Sequence, residues 1–146
     1  MTGSGYSLRP ATEQDIWAIR WLVLRSLLDP TQLRWQQFWV AETAGRVIAC
    51  AQLRQFEAAQ ELGSLVVAPR WRGQGIGRHL TQHLIEQASQ PLYLECLGSK
   101  LADFYKKLGF TSVELAELPT SIRQKFTRSR QIARLFRLPL YLMQHK

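Results

Sequence analysis

Three glycines at alternate positions, in the run Arg72-Gly73-Gln74-Gly75-Ile76-Gly77-Arg78, are the residues of this chain best suited to chemistry, and that chemistry is the holding of a phosphate. The run lies between a strand-like stretch, Leu62 to Val67, and a helix-like stretch that starts near Gly75. Glycines there leave backbone amides uncovered, so several N–H groups can converge on one anion at a helix N-terminus. Arg72 and Arg78 add planar forks that can bond two phosphate oxygens at once. A Walker loop would follow its last Gly with Lys and then Ser or Thr, whereas Arg78 and His79 follow Gly77. A dinucleotide fingerprint would need Gly at 73, 75 and 78, and position 78 is Arg. Neither standard nucleotide motif fits.

The elements that must position this cradle follow from periodicity. After it, Ile76, Leu80, Leu84 and Ala88 recur every four residues and predict a helix ending near Ser89; Pro91 to Cys96 is then a compact apolar strand. Strand, helix and strand in this length make a βαβ unit with a parallel pair, whose ligands bind beyond the strands' C-terminal ends, where the glycines are. Upstream, Tyr6 to Pro10 reads as a strand. Thr12, followed by acidic residues, caps a helix running to about Leu28. Its apolar residues form two rows, Ile16, Ile19, Val23 and Leu27 beside Trp17, Trp21, Leu24 and Leu28, and this width predicts a helix buried on two sides, the alternative being a Trp row that borders a pocket. Asp29-Pro30 stops it. Gln37 to Glu42 and Val47 to Gln55 predict a hairpin around Thr43-Ala44-Gly45-Arg46, and Ala58 to Val67 a third strand, with Glu61, Gly63, Leu65 and Val67 on one face if alternation is unbroken. Trp35, Phe38 and Trp39 are placed either under the first helix or toward a second substrate. Pro69 ends the ladder.

Downstream, Gly98-Ser99 predicts an N-cap, Leu101, Phe104, Tyr105 and Leu108 the apolar face of a short helix closed by Gly109, and Phe110 to Glu114 a strand. Pro119 to Arg137 reads as a basic amphipathic helix with Ile122, Phe126, Ala133 and Phe136 inward, lying on the body, and Leu138 to Met143 as a strand completing the sheet. His79 and His83 have a spacing that two metal ligands could share, but no third ligand is near in sequence, so both are read as helix-surface residues and no metal is expected.

A chain of 146 residues with 46% hydrophobic composition predicts one domain with a core, residues 1–146, ending in a basic segment, 118–146. The net charge of +8 is concentrated there: from Leu118 onward there are seven basic and no acidic residues, against 12 basic and all 11 acidic residues before it. No stretch resembles a signal peptide or a membrane span, so a cytoplasmic location without membrane attachment is expected. Cys50 and Cys96 lie in separate strand-like runs and read as reduced packing residues.

The pattern R-x-x-G-x-G, preceded by V-V-A-P, resembles the GCN5-related N-acetyltransferases, the GNAT superfamily, in which this segment binds the pyrophosphate of acetyl-CoA. The string A-D-F-Y-K-K-L-G-F, Ala102 to Phe110, resembles the family's second hallmark at the expected distance, and R-P-A-T-E-Q-D, Arg9 to Asp15, is a weaker third. The resemblance implies an α/β fold with a central, mostly antiparallel sheet, one parallel βαβ unit and flanking helices. It implies direct transfer of an acetyl group from acetyl-CoA to a primary amine of a small molecule or peptide in a ternary complex, without an acyl-enzyme.

Site residues carried over from the family are Glu61 as the carboxylate taking the acceptor's proton, with Glu57 and Glu95 as weaker substitutes and a solvated strand residue as the alternative for Glu61. Leu65, Val66 and Val67 supply backbone to the pantetheine arm and, through a strand bulge, an amide to the carbonyl oxygen. Tyr105 donates a proton to the departing thiolate. Ser99, where the family often has Asn, caps its helix or bonds the cofactor arm. The family's apolar final strand often meets a second subunit, so a homodimer is also implied. A competing expectation makes the chain a nucleic-acid or acidic-partner binding module acting through the basic segment, with a degenerate acyl-CoA site. The segment has no interleaved aromatics at stacking spacing, which makes nucleic acid the weaker partner.

Overall fold

A computed structural model describes residues 5–26, 28, 31 and 33–145. Among the described residues, seven strands form one sheet in the order β1-β2-β3-β4-β5-β7-β6: β1 Ser7–Pro10, β2 Phe38–Thr43, β3 Arg46–Phe56, β4 Ala59–Val67, β5 Leu92–Leu97, β6 Phe110–Ser112 and β7 Leu140–His145. The helices are α1 Ile16–Arg25, α2 Ile76–Gln87, α3 Ser99–Lys106 and α4 Thr120–Leu135. Pairing is mostly antiparallel; β4 and β5 run parallel, with Gln60 opposite Leu92 and Glu61 opposite Tyr93, as the βαβ order requires. Among the described residues no helix is long and apolar enough to cross a membrane. The chain forms two compact units, Met1–Leu53 with Leu62–Gln87, and Arg54–Glu61 with Ala88–Lys146.

In the first unit, β2 and β3 make the expected hairpin. Its two central residues, Ala44 and Gly45, have φ of 49° and 76°, the left-handed pair whose twist matches a tight antiparallel turn. Helix α1 begins where the Thr12 N–H donates to Asp15 Oδ2 at 2.7 Å, and Arg9 forks onto the same carboxylate at 2.7 and 3.0 Å while also pairing with Glu42. Ile19, Leu22 and Val23 of α1 pack on Phe38, Val40, Cys50 and Val66, which places Phe38 under the helix. The helix is not buried on two sides. Trp17, Trp21 and Leu24 are exposed at 73, 62 and 53%, because one sheet face covers one stripe of a helix; Arg20 and Arg25 lie over the Trp17 and Trp21 rings at 4.9 and 5.7 Å. Leu27 and the Asp29-Pro30 stop lie outside the described residues.

Strand β4 is not a regular alternation. Ser64 has φ of 53°, a left-handed kink inside the strand, so residues on its two sides do not continue one face. Ala59 to Leu62 are all buried, as in a strand covered on both faces.

In the second unit, β7 inserts between β5 and β6, antiparallel to both, so that Tyr93 faces Gln144 and Phe110 faces His145. The last strand therefore completes the sheet from within. Ile122 and Phe126 of α4 join Ala59, Tyr93, Val113 and Leu118 in a core, with Ala133 buried further along. Phe136 leaves this stripe: the helix ends at Leu135, Arg137 turns left-handed at φ 56°, and Phe136 is 66% exposed. Gly109, at φ 99°, closes the turn after α3.

Candidate active site

The cradle lies in the first unit. Strand β4 ends at Val67, a short turn Pro69–Trp71 follows, and Gly73 and Gly75 take φ of 78° and 83°, conformations that only glycine adopts without strain. A Cβ at either position would meet no protein atom within 4 Å, so the space before the loop is open. The first helical bond of α2 is His79 N–H to the Gly75 carbonyl at 3.0 Å, which leaves the N–H groups of Ile76, Gly77 and Arg78 without helical acceptors. These amides, at the positive end of a twelve-residue helix, form an anion site.

Gly77 differs from the other two glycines. Its φ is not left-handed, and a Cβ there would lie 3.5 Å from Val67 Cγ2, an ordinary contact distance, so neither backbone conformation nor space requires glycine at this position, where the start of α2 lies beside the end of β4. Ile76 anchors the helix start in the core at 1% exposure. Arg72 donates from Nε to the Val67 carbonyl at 2.9 Å, which tethers its guanidinium to the strand end and leaves the terminal nitrogens available; Gln74 and Arg78 are exposed. Val66 is buried in the core, and Leu65 and Val67 are half-buried.

Glu61, Ser99 and Tyr105 belong to the second unit. Glu61 is not a solvated strand residue: it is 1% exposed. Lys125 Nζ lies 2.9 Å from its Oε2 and Arg54 Nη1 3.3 Å from its Oε1. Lys125 also donates to Glu95 Oε2 at 3.0 Å, and the Ser129 hydroxyl donates to the same oxygen at 3.1 Å. Glu61 Oε2 thus accepts from Lys125, whereas its Oε1 faces Arg54 at ion-pair distance without a hydrogen bond among the described residues. Glu57 is exposed on the turn before β4, and its carbonyl accepts from Ser121 Oγ at 2.6 Å.

Tyr105 is 5% exposed, edge-on to Phe104 and Phe110 at 5.1 and 5.5 Å. Burial, with Cys96 nearby, pushes its phenol above the ordinary value, so the hydroxyl stays a proton donor. Ser99 is the first residue of α3 and is exposed; the N-cap is Gly98, at φ 91°, so the Ser99 hydroxyl does not cap the helix. Burial raises the Cys50 thiol to about 12 and the Cys96 thiol to about 11, which removes both as nucleophiles at neutral pH. His79 Nδ1 bonds the Tyr6 hydroxyl at 3.0 Å and His83 packs edge-on against Trp39 at 4.1 Å, so both imidazoles pack within the first unit.

Sequence reasoning missed three residues of the Glu61 cluster, Arg54, Lys125 and Ser129. Lys125 carried one signal, since it lies three residues from Ile122 and next to Phe126 and is therefore at the edge of the buried stripe of α4. Arg70, which opens the R-x-x-G-x-G pattern, was also left unassigned.

Residues 34–112 match the sequence model of the acetyltransferase (GNAT) domain, and the chain belongs to that family. An amino-acid acetyltransferase of Shewanella oneidensis is 32% identical over 128 residues, which cover 85% of this chain and 27% of the relative. The chain thus spans about a quarter of the length of this relative. The N-acetylglutamate synthase of Neisseria gonorrhoeae, complexed with coenzyme A and N-acetyl-glutamate, superposes with a TM-score of 0.77 at 22% identity over 96% of this chain and 34% of that one. A Mycobacterium tuberculosis protein in complex with CoA and NLQ has a TM-score of 0.73 at 24% identity, covering 95% of this chain and 98% of its own. At these identities the two structures share the fold.

Proposed function

We propose that this chain is an acetyl-CoA-dependent N-acetyltransferase that moves the acetyl group directly onto the primary amine of a small molecule. The observation that carries this reading is the open amide loop, Gly73 to Arg78, at the start of α2 in a chain of the GNAT family. In this reading the amides of Ile76, Gly77 and Arg78, with the Arg72 and Arg78 guanidinium groups, hold the pyrophosphate. Backbone groups of Leu65, Val66 and Val67 pair with the pantetheine arm, and Ser99 lies along it. Tyr105 protonates the leaving thiolate. Because two cations occupy Glu61, we assign it an electrostatic role, the holding of Arg54 and Lys125, and leave the acceptor's proton to water. Two inert thiols agree with direct attack rather than an acyl-enzyme. An amino acid is the acceptor class we favour, since the Shewanella relative is an amino-acid acetyltransferase at 32% identity. We further propose a single catalytic domain, working in the cytoplasm and able to pair as a homodimer.

The test is thermal stability with acetyl-CoA, CoA, ATP and NAD added separately, for the wild type and Gly75→Glu. A ligand at a hundred times its dissociation constant stabilises by about 2.7 kcal/mol. That corresponds to roughly 5–10 °C for a domain of this size. Acetyl-CoA and CoA are expected to shift the wild type and not the variant. A shift by ATP as large as that by CoA, or none by any ligand, overturns the reading. A panel of amino acids, scored by CoA release, then identifies the acceptor.

A further inference from the structure

Three arginines to which the proposed function assigns no contact meet at one cavity of the first unit, Arg70 among them as the first residue of the R-x-x-G-x-G segment. Arg25 ends α1, Arg46 opens β3 and Arg70 lies in the turn after β4; together with Trp71 and Gln74 they line a space of about 410 Å³. No carboxylate lines it among the described residues. Arg46 and Arg70 have no ion-pair partner among the described residues, whereas Arg9 of the same unit is held by both Asp15 and Glu42. Three like charges around one cavity repel each other, and a bound anion relieves that repulsion most. Trp71, half-buried, adds an aromatic face, and Gln74 is part of the amide loop, so the cavity adjoins the cradle.

We propose that this cavity is a second phosphate site, distinct from the amide loop and built from Arg25, Arg46 and Arg70. Planar guanidinium groups bond phosphate oxygens two at a time, and three of them from separate elements can surround one such group. The phosphate has two sources. One is the ribose 3′-phosphate of CoA, an assignment that rests on the acetyl-CoA reading; the other is a free phosphorylated small molecule, which does not.

Calorimetric titration of the full chain decides, with the wild type, the Arg25→Met/Arg46→Met double variant and Gly75→Glu as the cradle control. CoA, dephospho-CoA and, into protein saturated with CoA, inorganic pyrophosphate are the titrants. A tenfold or greater loss of CoA affinity in the double variant, with dephospho-CoA unchanged, assigns the cavity to the 3′-phosphate. Loss of pyrophosphate binding with both coenzymes unchanged assigns it to a free anion. Wild-type affinities for all three titrants in the double variant, or equal weakening of CoA and dephospho-CoA, overturn the proposal. Should CoA fail to bind the wild type, the acetyl-CoA reading fails separately. Pyrophosphate added without CoA then decides alone, and binding that survives in Gly75→Glu but not in the double variant supports the cavity, any other pattern overturning it.

Discussion

Lys125 Nζ stands 2.9 Å from Glu61 Oε2, sixty-four residues away in sequence, so one charge of the basic C-terminal segment is spent inside the second unit rather than offered to a partner. The same ammonium reaches Glu95 at 3.0 Å. Lys125→Met leaves two largely buried carboxylates facing each other with Arg54 as the remaining cation. Removing one partner of a buried ion cluster costs about 3–5 kcal/mol. The 21% exposure of the Lys125 side chain puts the expectation at the lower end, about 3 kcal/mol. Urea denaturation at pH 7 measures it, and Lys125→Arg is expected to recover more than half. A loss below about 1 kcal/mol, the range of surface pairs, shows that the cluster is solvated in solution.

What the sequence made legible was local. The Ala44-Gly45 turn, the left-handed glycines at 73 and 75, and the Ile76, Leu80, Leu84 face of α2 each follow from residues within a few positions of one another. The parallel pairing of β4 with β5 followed from the order strand, helix, strand. What stayed hidden was non-local or set by covering. Two apolar rows on α1 look alike in sequence, and only the sheet decides that Ile19 and Val23 are covered while Trp17 and Trp21 are not. Glu61 read as a free carboxylate because nothing near it in sequence announces Arg54 or Lys125. The kink at Ser64 left no mark in the residues themselves, because its left-handed backbone is carried by a residue that is not glycine; only the family resemblance implied a bulge in this strand.

Arg9 and Asp15 give the first unit a defined acid sensitivity. The Arg9 hydrogen bonds hold the Asp15 carboxyl below the usual carboxylate range, against the opposing effect of burial. A carboxyl whose folded pKa is depressed contributes stability that is fully present above its unfolded pKa, about 3.9, and is lost as pH falls through the folded value. Asp15→Asn is therefore expected to be less stable than wild type by about 1.5–3 kcal/mol at pH 7 and at pH 5. The difference should shrink as pH is lowered below about 4. Urea unfolding at these pH values reads the difference, and a gap that does not change with pH removes the ion pair as its origin.

Gly109 is fixed by two independent constraints. Its φ of 99° is strained for any residue with a side chain, and a Cβ there would lie 2.8 Å from His145 Nε2 in β7. Gly109→Ala is expected to lower stability by about 1–3 kcal/mol. His145→Ala frees the space but not the backbone, so the double variant should regain only the part due to the clash. Melting temperatures of the two single variants and the double variant separate these costs. Full additivity would show that His145 turns away without penalty.

Tyr105 tests the chemistry separately from the fold. Tyr105→Phe removes one oxygen and keeps the ring that packs between Phe104 and Phe110, so the melting temperature should change little. If the hydroxyl protonates the departing thiolate, kcat falls while the acetyl-CoA KM holds. A thiol of pKa about 8.5 is already a fair leaving group, which puts the expected loss near the low end of acid catalysis, roughly tenfold to a hundredfold. The pH profile gives a second, sharper reading. Burial raises the phenol above its ordinary value of 10.0, so the wild type keeps its acid through neutral and mildly alkaline pH, and Tyr105 contributes no falling limb below about pH 10. A wild-type profile that falls between pH 7 and 9 and becomes flat in Tyr105→Phe would show a phenol ionising far below this expectation. An unchanged kcat in the variant would assign Tyr105 to packing alone.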